Sequence, residues 1–340
     1  MPRSISDHAA RDAEAIVMRS YGPPAVLRLE TVGLPPLAGD EIRIRSLASA
    51  VNHSDLEIRA GRWPIRRDPP FPYIPGLEVV GEIVETGSAV ADFRLGDRVI
   101  TMMQGLGGVR AARSGGYARC VTVAESAAAR VPDGVDPHAM AALGLAGVTA
   151  FEGLRRLGAI AGRRIAVTGA AGGVGSAAVS LARAQEADVI AIVSRIERAD
   201  YVRSLGAGEI LLSHEVAAGQ LGAGSIDGVL DTVAGDLFAP CVTALRSGGT
   251  LSLVGAVGGS ALALDAYRLV DVTLTGYSSE TLTGGDLRQA VASIGTWLRQ
   301  GTVLASFHTL FPLRDAAAAH QLLERHGVEG RVLLVPEIAS

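Results

Sequence analysis

The passage that most constrains the fold runs from Gly162 to Arg195 and reads as strand, glycine turn, helix and strand. Within it, Ala170, Gly172 and Gly175 follow the spacing G-x-G-x-x-G, with alanine in the first place. Such a turn lets the amides at the start of the following helix face a pyrophosphate. An ordinary strand-to-helix turn is the alternative, but the strand before and the helix after favour a dinucleotide-binding unit.

The rest of the chain divides into a β-rich first part and a part in which strands and helices alternate. A length of 340 residues allows two domains. Asp136 and Pro137 predict the N-cap and first residue of a helix, and a second helix is expected at 148–157. Helices are also predicted at 286–300 and 314–326. The strands predicted outside the glycine passage are 15–18, 26–31, 41–50, 77–86, 98–102, 118–123, 209–212, 229–231, 250–254, 272–276, 305–313 and 331–335.

Composition excludes several classes of function. The formal charge of -4 argues against a nucleic-acid partner, which requires a dense cationic surface. All 31 residues counted as lysine or arginine are arginine, so lysine Schiff bases and P-loop lysines are excluded. No uncharged run reaches the roughly 20 apolar residues that span a bilayer, so no membrane partner is expected. The two separate cysteines indicate a reducing, cytoplasmic location.

Residues after the second strand of the passage bear on cofactor choice. Serine and two arginines, at Ser194, Arg195 and Arg198, would suit a 2′-phosphate, because all three donate hydrogen bonds to anions. Glu197 is the competing feature, but it lies past the predicted strand end. The arginines are alternatively solvated charges on a helix surface. We therefore expect NADPH, with NADH possible.

Several further motifs occur in order along the chain, and together they resemble the medium-chain dehydrogenase/reductase superfamily in its zinc-free, quinone oxidoreductase-like branch. They include VNHSDLEIRAG, PYIPGLEVVGEIVETG, FRLGDRV, GGYARC, LGLAGVTAFEGL, GAAGGVG and SGGTLSLVG. The resemblance covers about residues 15–335. It implies an α/β fold, with a GroES-like, β-rich catalytic domain at 1–145 and 286–340. A Rossmann domain, a doubly wound parallel sheet, is inserted at 146–285, with the active site in the cleft between the two.

The resemblance also implies that no metal is bound. Zinc enzymes of this superfamily carry a cysteine and a histidine where this chain has Asn52 and Leu77. Leucine offers no lone pair to a metal, and the four-cysteine loop of a structural zinc site is missing. Without a Lewis acid, a quinone or an α,β-unsaturated carbonyl is the expected small-molecule substrate, since its conjugated carbonyl accepts the charge. The alternatives are a zinc-free alcohol or ketone dehydrogenase that uses a Ser54–His53 relay, and a non-catalytic nicotinamide-binding protein.

Four consecutive residues carry the expected catalytic segment. Asn52 is placed at the cleft by the resemblance and is the candidate hydrogen-bond donor, with a turn asparagine as the alternative. Ser54 is a candidate for a proton relay. His53 either touches the pyrophosphate or lies on the surface, and Asp55 is expected to bond the backbone of its own loop.

Other residues are expected to line the substrate and cofactor. Three aromatic side chains form either a wall for a flat substrate or ordinary core, namely Trp63, Phe71 and Tyr73. The resemblance places Thr149 near the nicotinamide, Val254 and Gly255 at its far wall, and Ser213 near the phosphate. Thr232 lines the cofactor edge, and the glycine turn contributes Ala170, Gly172, Gly173, Val174 and Gly175.

The family habit of pairing Rossmann sheets edge to edge implies a homodimer. The apolar run 250–264 would suit such an edge. Alternatively, it forms a buried strand and loop inside the monomer.

Overall fold

The protein is described here by a computed structural model, which covers residues 12–63, 71–103, 106, 113–325 and 327–337. The first and last parts of the chain build one mixed sheet, in the order β14-β15-β3-β4-β5-β7, and β6 also pairs with β3. β1 and β2 form a separate hairpin. The strands of this part are β1 Asp12–Val17, β2 Arg28–Gly33, β3 Glu41–Ala50, β4 Glu78–Thr86, β5 Arg98–Met102, β6 Cys120–Ala124, β7 Ala128–Arg130, β14 Phe307–Pro312 and β15 Arg331–Val335.

The middle of the chain builds a parallel sheet in the order β10-β9-β8-β11-β12-β13. The order reverses beside β8, so a crevice opens between the carboxyl ends of β8 and β11, which is where doubly wound sheets bind ligands. The predicted α/β fold class, with a β-rich part and a Rossmann sheet, is confirmed. These strands are β8 Arg164–Thr168, β9 Asp188–Val193, β10 Glu209–Leu212, β11 Ile226–Asp231, β12 Leu245–Leu253 and β13 Thr273–Gly276.

Helices cover the faces of the two sheets. They are α1 His53–Ala60, α2 Pro137–Arg155, α3 Gly173–Ala184, α4 Ala199–Ser204, α5 Ser213–Ala217, α6 Phe238–Ala244, α7 Gly284–Gln300 and α8 Ala316–Glu324. No helix among the described residues is long and apolar enough to cross a membrane.

The element α2 contains the two helical stretches that the sequence predicts. Asp136 caps the first by accepting a hydrogen bond from the Ala139 amide at 2.8 Å, which confirms the predicted start. The two stretches meet at a kink, where the backbone of Gly144 is not helical. This element spans the predicted domain boundary at 145/146. The domain limits 1–145, 146–285 and 286–340 stay a prediction.

The apolar run at 250–264 does not form a sheet edge. Its first residues belong to β12, which pairs with β11 on one side and β13 on the other. The outer strand is β13 among the described residues. The residues from 256 to 263 are exposed, because they follow the end of β12 as a loop.

Candidate active site

The glycine turn connects β8 to α3. Gly169 follows β8 with φ +59°, a left-handed conformation that favours glycine, and its carbonyl accepts a hydrogen bond from the Gly172 N–H at 2.8 Å. Gly172 is the N-cap of α3, and Ala170 is buried beneath the turn. The predicted residues Gly173, Val174 and Gly175 form the first turn of α3. Their amides therefore stand at the crevice where an anion would be bound.

Asn52 lies between β3 and α1, as the N-cap of α1, and its side-chain amide is held from three sides. Its Nδ2 donates to Glu78 Oε1 at 2.8 Å and to the Ala50 carbonyl at 3.3 Å. Its Oδ1 accepts a hydrogen bond from Arg331 Nη2 at 2.6 Å. These bonds fix which way the amide points, because only one assignment of its oxygen and nitrogen satisfies both charged neighbours.

Glu78 is a buried carboxylate that the sequence analysis did not select. Its Oε2 accepts the Leu145 amide at 2.6 Å. The kink at Gly144 frees that amide, and any side chain at Gly144 would collide with Glu78. Burial raises the pKa of Glu78, while Arg331, Asn52 and Leu145 act to lower it. The sequence signal for Glu78 is its position directly after Leu77, the residue that stands where zinc enzymes of the superfamily carry a histidine.

Arg331 joins this carboxylate to the glycine turn, and it also escaped the sequence analysis. Its Nη2 lies 3.7 Å from Glu78 Oε1, and a Cβ on Gly173 would collide with its Nη1. Its Nε is buried without a partner among the described residues. The signal in the sequence was a charged residue opening the predicted apolar strand 331–335. Arg331 therefore places a positive charge where a phosphate would approach α3.

The remaining residues of the catalytic segment begin α1. Asp55 Oδ2 accepts a hydrogen bond from the backbone N–H of Asn52 at 2.8 Å. Burial, assisted by Glu78, raises the pKa of Asp55 to about 7, although the bonds from Asn52 and the charge of Arg331 oppose the shift. Ser54 is half-buried, and His53 is exposed at the start of α1.

A buried polar chain leads from Asp55 to the surface. Burial and, to a smaller degree, the neighbouring Asp55 carboxylate raise the pKa of Tyr117, whose hydroxyl lies 3.1 Å from His320 Nε2. His320 Nδ1 lies 3.5 Å from Arg59 Nη1, and Arg59 pairs with Glu324. Burial and Arg59 lower the pKa of His320 to about 3, so this ring is neutral.

The three predicted wall residues divide into two environments. Tyr73 is buried, and its backbone pairs with Met18. Phe71 is half-buried and packs edge to face on Tyr21, with ring centroids 5.3 Å apart. Trp63 is half-buried, and its Nε1 has no partner among the described residues.

Several predicted cofactor residues surround the crevice. Thr232 Oγ1 donates to the Thr168 carbonyl at 2.8 Å and lies close to Gly169. Thr149 is buried in α2 and donates to the Leu145 carbonyl at 2.7 Å. Val254 and Gly255 follow β12 and are half-buried.

The residues predicted for the 2′-phosphate follow β9. Ser194 and Arg195 are exposed, and Arg198 is half-buried. Ser213 Oγ donates to the Val193 carbonyl at 3.2 Å. These four residues thus follow the carboxyl ends of the neighbouring strands β9 and β10.

The residues fit a dinucleotide but not a catalytic zinc ion. The helix start, the buried unpartnered Nε of Arg331 and the glycine at 173 suit a pyrophosphate. At the zinc position, Leu77 has no ligand atom. The described residues contain no group of three or more His, Cys, Asp or Glu that could hold a metal ion.

Comparison with known proteins agrees with this geometry. Residues 38–133 match the alcohol dehydrogenase GroES-like domain, and residues 173–295 match the family described as zinc-binding dehydrogenase. The quinone oxidoreductase of Sus scrofa is 28% identical over 329 residues, which cover 94% of this chain and 97% of the relative. The chloroplastic NADPH-dependent alkenal/one oxidoreductase of Arabidopsis thaliana is 29% identical over 331 residues, covering 96% and 80%.

A solved mycobacterial structure complexed with NADPH has the same fold. It superposes with a TM-score of 0.81 at 30% identity, and the match covers 95% of this chain and all of that one. The chain therefore belongs to the medium-chain dehydrogenase/reductase superfamily of NAD(P)H-dependent oxidoreductases, in its quinone oxidoreductase-like branch.

Proposed function

We propose that this protein transfers hydride from NADPH to a quinone or an α,β-unsaturated carbonyl without a metal ion. The observation that carries the proposal is the cluster of Asn52, Glu78 and Arg331, which connects the end of β3 to the glycine turn at Gly173. The cluster places an amide donor and a fixed positive charge side by side at one crevice. NADPH, when bound, supplies the hydride.

The chain's own residues would hold the cofactor in three places. The amides of the glycine turn, from Gly172 to Gly175, and the Arg331 guanidinium hold the pyrophosphate. Thr149, Val254 and Gly255 border the nicotinamide, and Thr232 lines the edge. Arg198, Arg195, Ser194 and Ser213 serve the 2′-phosphate. His53, exposed at the start of α1, is a further candidate for contact with the pyrophosphate.

Asn52 is the donor proposed for the oxygen of the acceptor. Its bond to Glu78 is short at 2.8 Å, whereas its second N–H reaches the Ala50 carbonyl only at 3.3 Å. The longer bond is the weaker one, so this N–H is the one that can be shared with a substrate oxygen. Glu78 and Arg331 keep the amide oriented, which is the requirement for stabilising a developing enolate.

The substrate would lie between the nicotinamide and the indole of Trp63. Trp63 is half-buried and offers a flat face together with an N–H, and Phe71 extends the apolar wall. Tyr73 supports this wall from the core. Ser54, half-buried and two residues after Asn52, is the candidate group for passing the final proton, with water as the alternative donor.

Chelator-treated protein tests the proposal directly. NADPH oxidation is followed by absorbance with a benzoquinone, a simple enone, a ketone and no acceptor. Turnover with the quinone or the enone supports the proposal, and the faster of the two identifies the substrate class. Turnover with the ketone alone, or NADPH binding with no turnover in any arm, contradicts it.

We also propose a homodimer formed through β13. This strand is the outer strand of the described parallel sheet, and apolar side chains of β13 and of the segment before it are exposed, including Tyr267, Val270 and Leu274. A second copy would pair its own β13 and cover these side chains.

The two free cysteines, Cys120 and Cys241, support a reducing cytoplasmic location.

A further inference from the structure

The arginine assigned to the 2′-phosphate already has an acidic partner. Arg198 Nη1 lies 3.2 Å from Glu329 Oε1. The Arg198 side chain is only 16% exposed, whereas that of Glu329 is 48% exposed. The guanidinium is therefore held in place while the carboxylate can turn away into solvent.

The partner comes from the opposite side of the crevice. Arg198 follows β9 of the parallel sheet, whereas Glu329 stands two residues before Arg331, at the start of β15 in the mixed sheet. The same short segment brings Gly327 against Arg198: a Cβ on Gly327 would lie 3.5 Å from Arg198 Nη2. The segment 327–331 thus touches the cofactor crevice at Arg198 and again at Gly173, through Arg331.

We propose that Glu329 is a specificity-determining residue that competes with the cofactor's 2′-phosphate for Arg198. This inference rests on the proposed function, in which Arg198 binds that phosphate. NADPH must displace the Glu329 carboxylate and then tolerate it as a like charge nearby, whereas NADH meets neither requirement. Glu329 therefore narrows the preference for NADPH that Ser194, Arg195 and Arg198 would otherwise confer.

Other acidic side chains near Arg198 do not have the same effect. Asp200 is paired with Arg203 at 2.8 Å. Glu197 is exposed in the turn that contains Arg198, so its charge is screened by solvent. Glu329 contacts the guanidinium itself, so its removal should be felt most strongly by a ligand that needs that guanidinium.

The test compares the Kd of NADPH and of NADH for the full-length protein and for Glu329→Gln. The variant keeps the size of the side chain and removes its charge. We expect the Kd for NADPH to fall by about tenfold and the Kd for NADH to change by less than about twofold. Equal changes for both cofactors, or no change for either, would overturn the inference.

The matched control is Glu337→Gln, which removes a carboxylate from the same end of the chain. Glu337 pairs with Arg119 at 2.6 Å rather than with Arg198. The control should leave both Kd values unchanged. If it improves NADPH binding as much as Glu329→Gln does, the effect is one of net charge and the inference is wrong.

Arg198→Ala separates this inference from the proposed function. If Arg198→Ala leaves the ratio of the two Kd values unchanged, the 2′-phosphate assignment itself fails. If Arg198→Ala weakens NADPH selectively while Glu329→Gln has no effect, only the inference about Glu329 fails. In the Arg198→Ala background, Glu329→Gln should lose most of its effect on NADPH, because the two residues act through one contact.

Discussion

Arg331 donates from Nη2 to Asn52 Oδ1 over 2.6 Å, although the two residues are 279 positions apart in the chain. Nη1 of the same guanidinium fills the space beside Gly173. One side chain thus connects the proposed acceptor site with the proposed phosphate site. Displacing the Arg331 side chain should therefore affect both the acceptor site and the phosphate site.

Gly173→Ala should weaken cofactor binding without unfolding the protein. A Cβ at this position collides with Arg331 Nη1, and the tip of a long side chain moves more easily than backbone. We expect the Kd for NADPH to rise by about tenfold or more, since a charge-assisted contact is lost, while the free energy of unfolding changes little. Calorimetric titration and urea unfolding measure the two quantities.

Gly285→Ala is the control for that substitution. Gly285 lies in the first turn of α7. A Cβ added there would lie 3.7 Å from Thr283 Oγ1, which is an ordinary van der Waals contact. Equal effects of the two alanines on the Kd would contradict a specific role for the contact between Gly173 and Arg331.

Asn52→Ala should lower kcat far more than it changes the Kd for NADPH. The variant removes the proposed donor to the acceptor oxygen and releases Glu78 from its 2.8 Å bond. Loss of one such donor typically reduces turnover by about 100-fold or more. Steady-state rates with the better acceptor and direct cofactor titration check this, and an unchanged kcat would remove Asn52 from the mechanism.

Asp55 should make stability depend on pH. Its pKa is raised from 3.8 to about 7, so the folded state holds a proton that the unfolded state releases. Stability of the native protein therefore falls as pH rises between about 4 and about 7. Asp55→Asn lacks this dependence. The difference between its free energy of unfolding and that of the native protein should therefore shift in favour of the variant by up to about 4 kcal/mol as pH rises across that window. Urea unfolding at pH 5 and pH 8 measures it, and parallel curves would contradict the raised pKa.

Tyr117→Phe should destabilise the protein by about 1 to 3 kcal/mol, because it leaves the buried Nε2 of His320 without its partner at 3.1 Å. Tyr21→Phe removes the same hydroxyl from a half-buried side chain outside the proposed dimer surface and serves as the control. Urea unfolding at one pH compares the two. Similar small losses in both would show that the Tyr117–His320 bond contributes nothing to stability.

Leu274→Glu should dissociate the proposed dimer. Leu274 lies on β13, and a buried carboxylate there would be paired with nothing complementary across a two-fold interface. Sedimentation velocity should show a dimer for the native chain and a monomer for the variant. Leu95→Glu introduces the same charge at an exposed position of the mixed-sheet part and should remain dimeric. A native monomer would contradict the proposal outright.

The local sequence pattern was sufficient to predict much of the fold. The strands 41–50, 98–102, 209–212 and 331–335 have the predicted bounds, because branched and alternating residues end there at turn residues. The order of strands around the glycine turn follows from the same passage. The resemblance then placed Asn52 and the cofactor residues near one crevice.

The contacts that define the site were not predictable in this way. Glu78 and Leu145 are 67 residues apart, and their bond exists only because α2 kinks where β4 approaches it. Arg331 looks like an ordinary charge at a strand start until β15 is placed beside β3. Hydrophobic periodicity identifies which face of a strand is buried, but it does not specify which polar groups meet across two sheets.

The most direct test of metal-free hydride transfer uses NADPH carrying deuterium at the transferred position of the nicotinamide, with chelator-treated protein and the faster of the two acceptors. Under single-turnover conditions, we expect oxidation of the deuterated cofactor to be slower than that of the protiated one. With an enone, we also expect one deuterium on the β-carbon of the product. Equal rates together with an unlabelled product would contradict direct hydride transfer in this crevice.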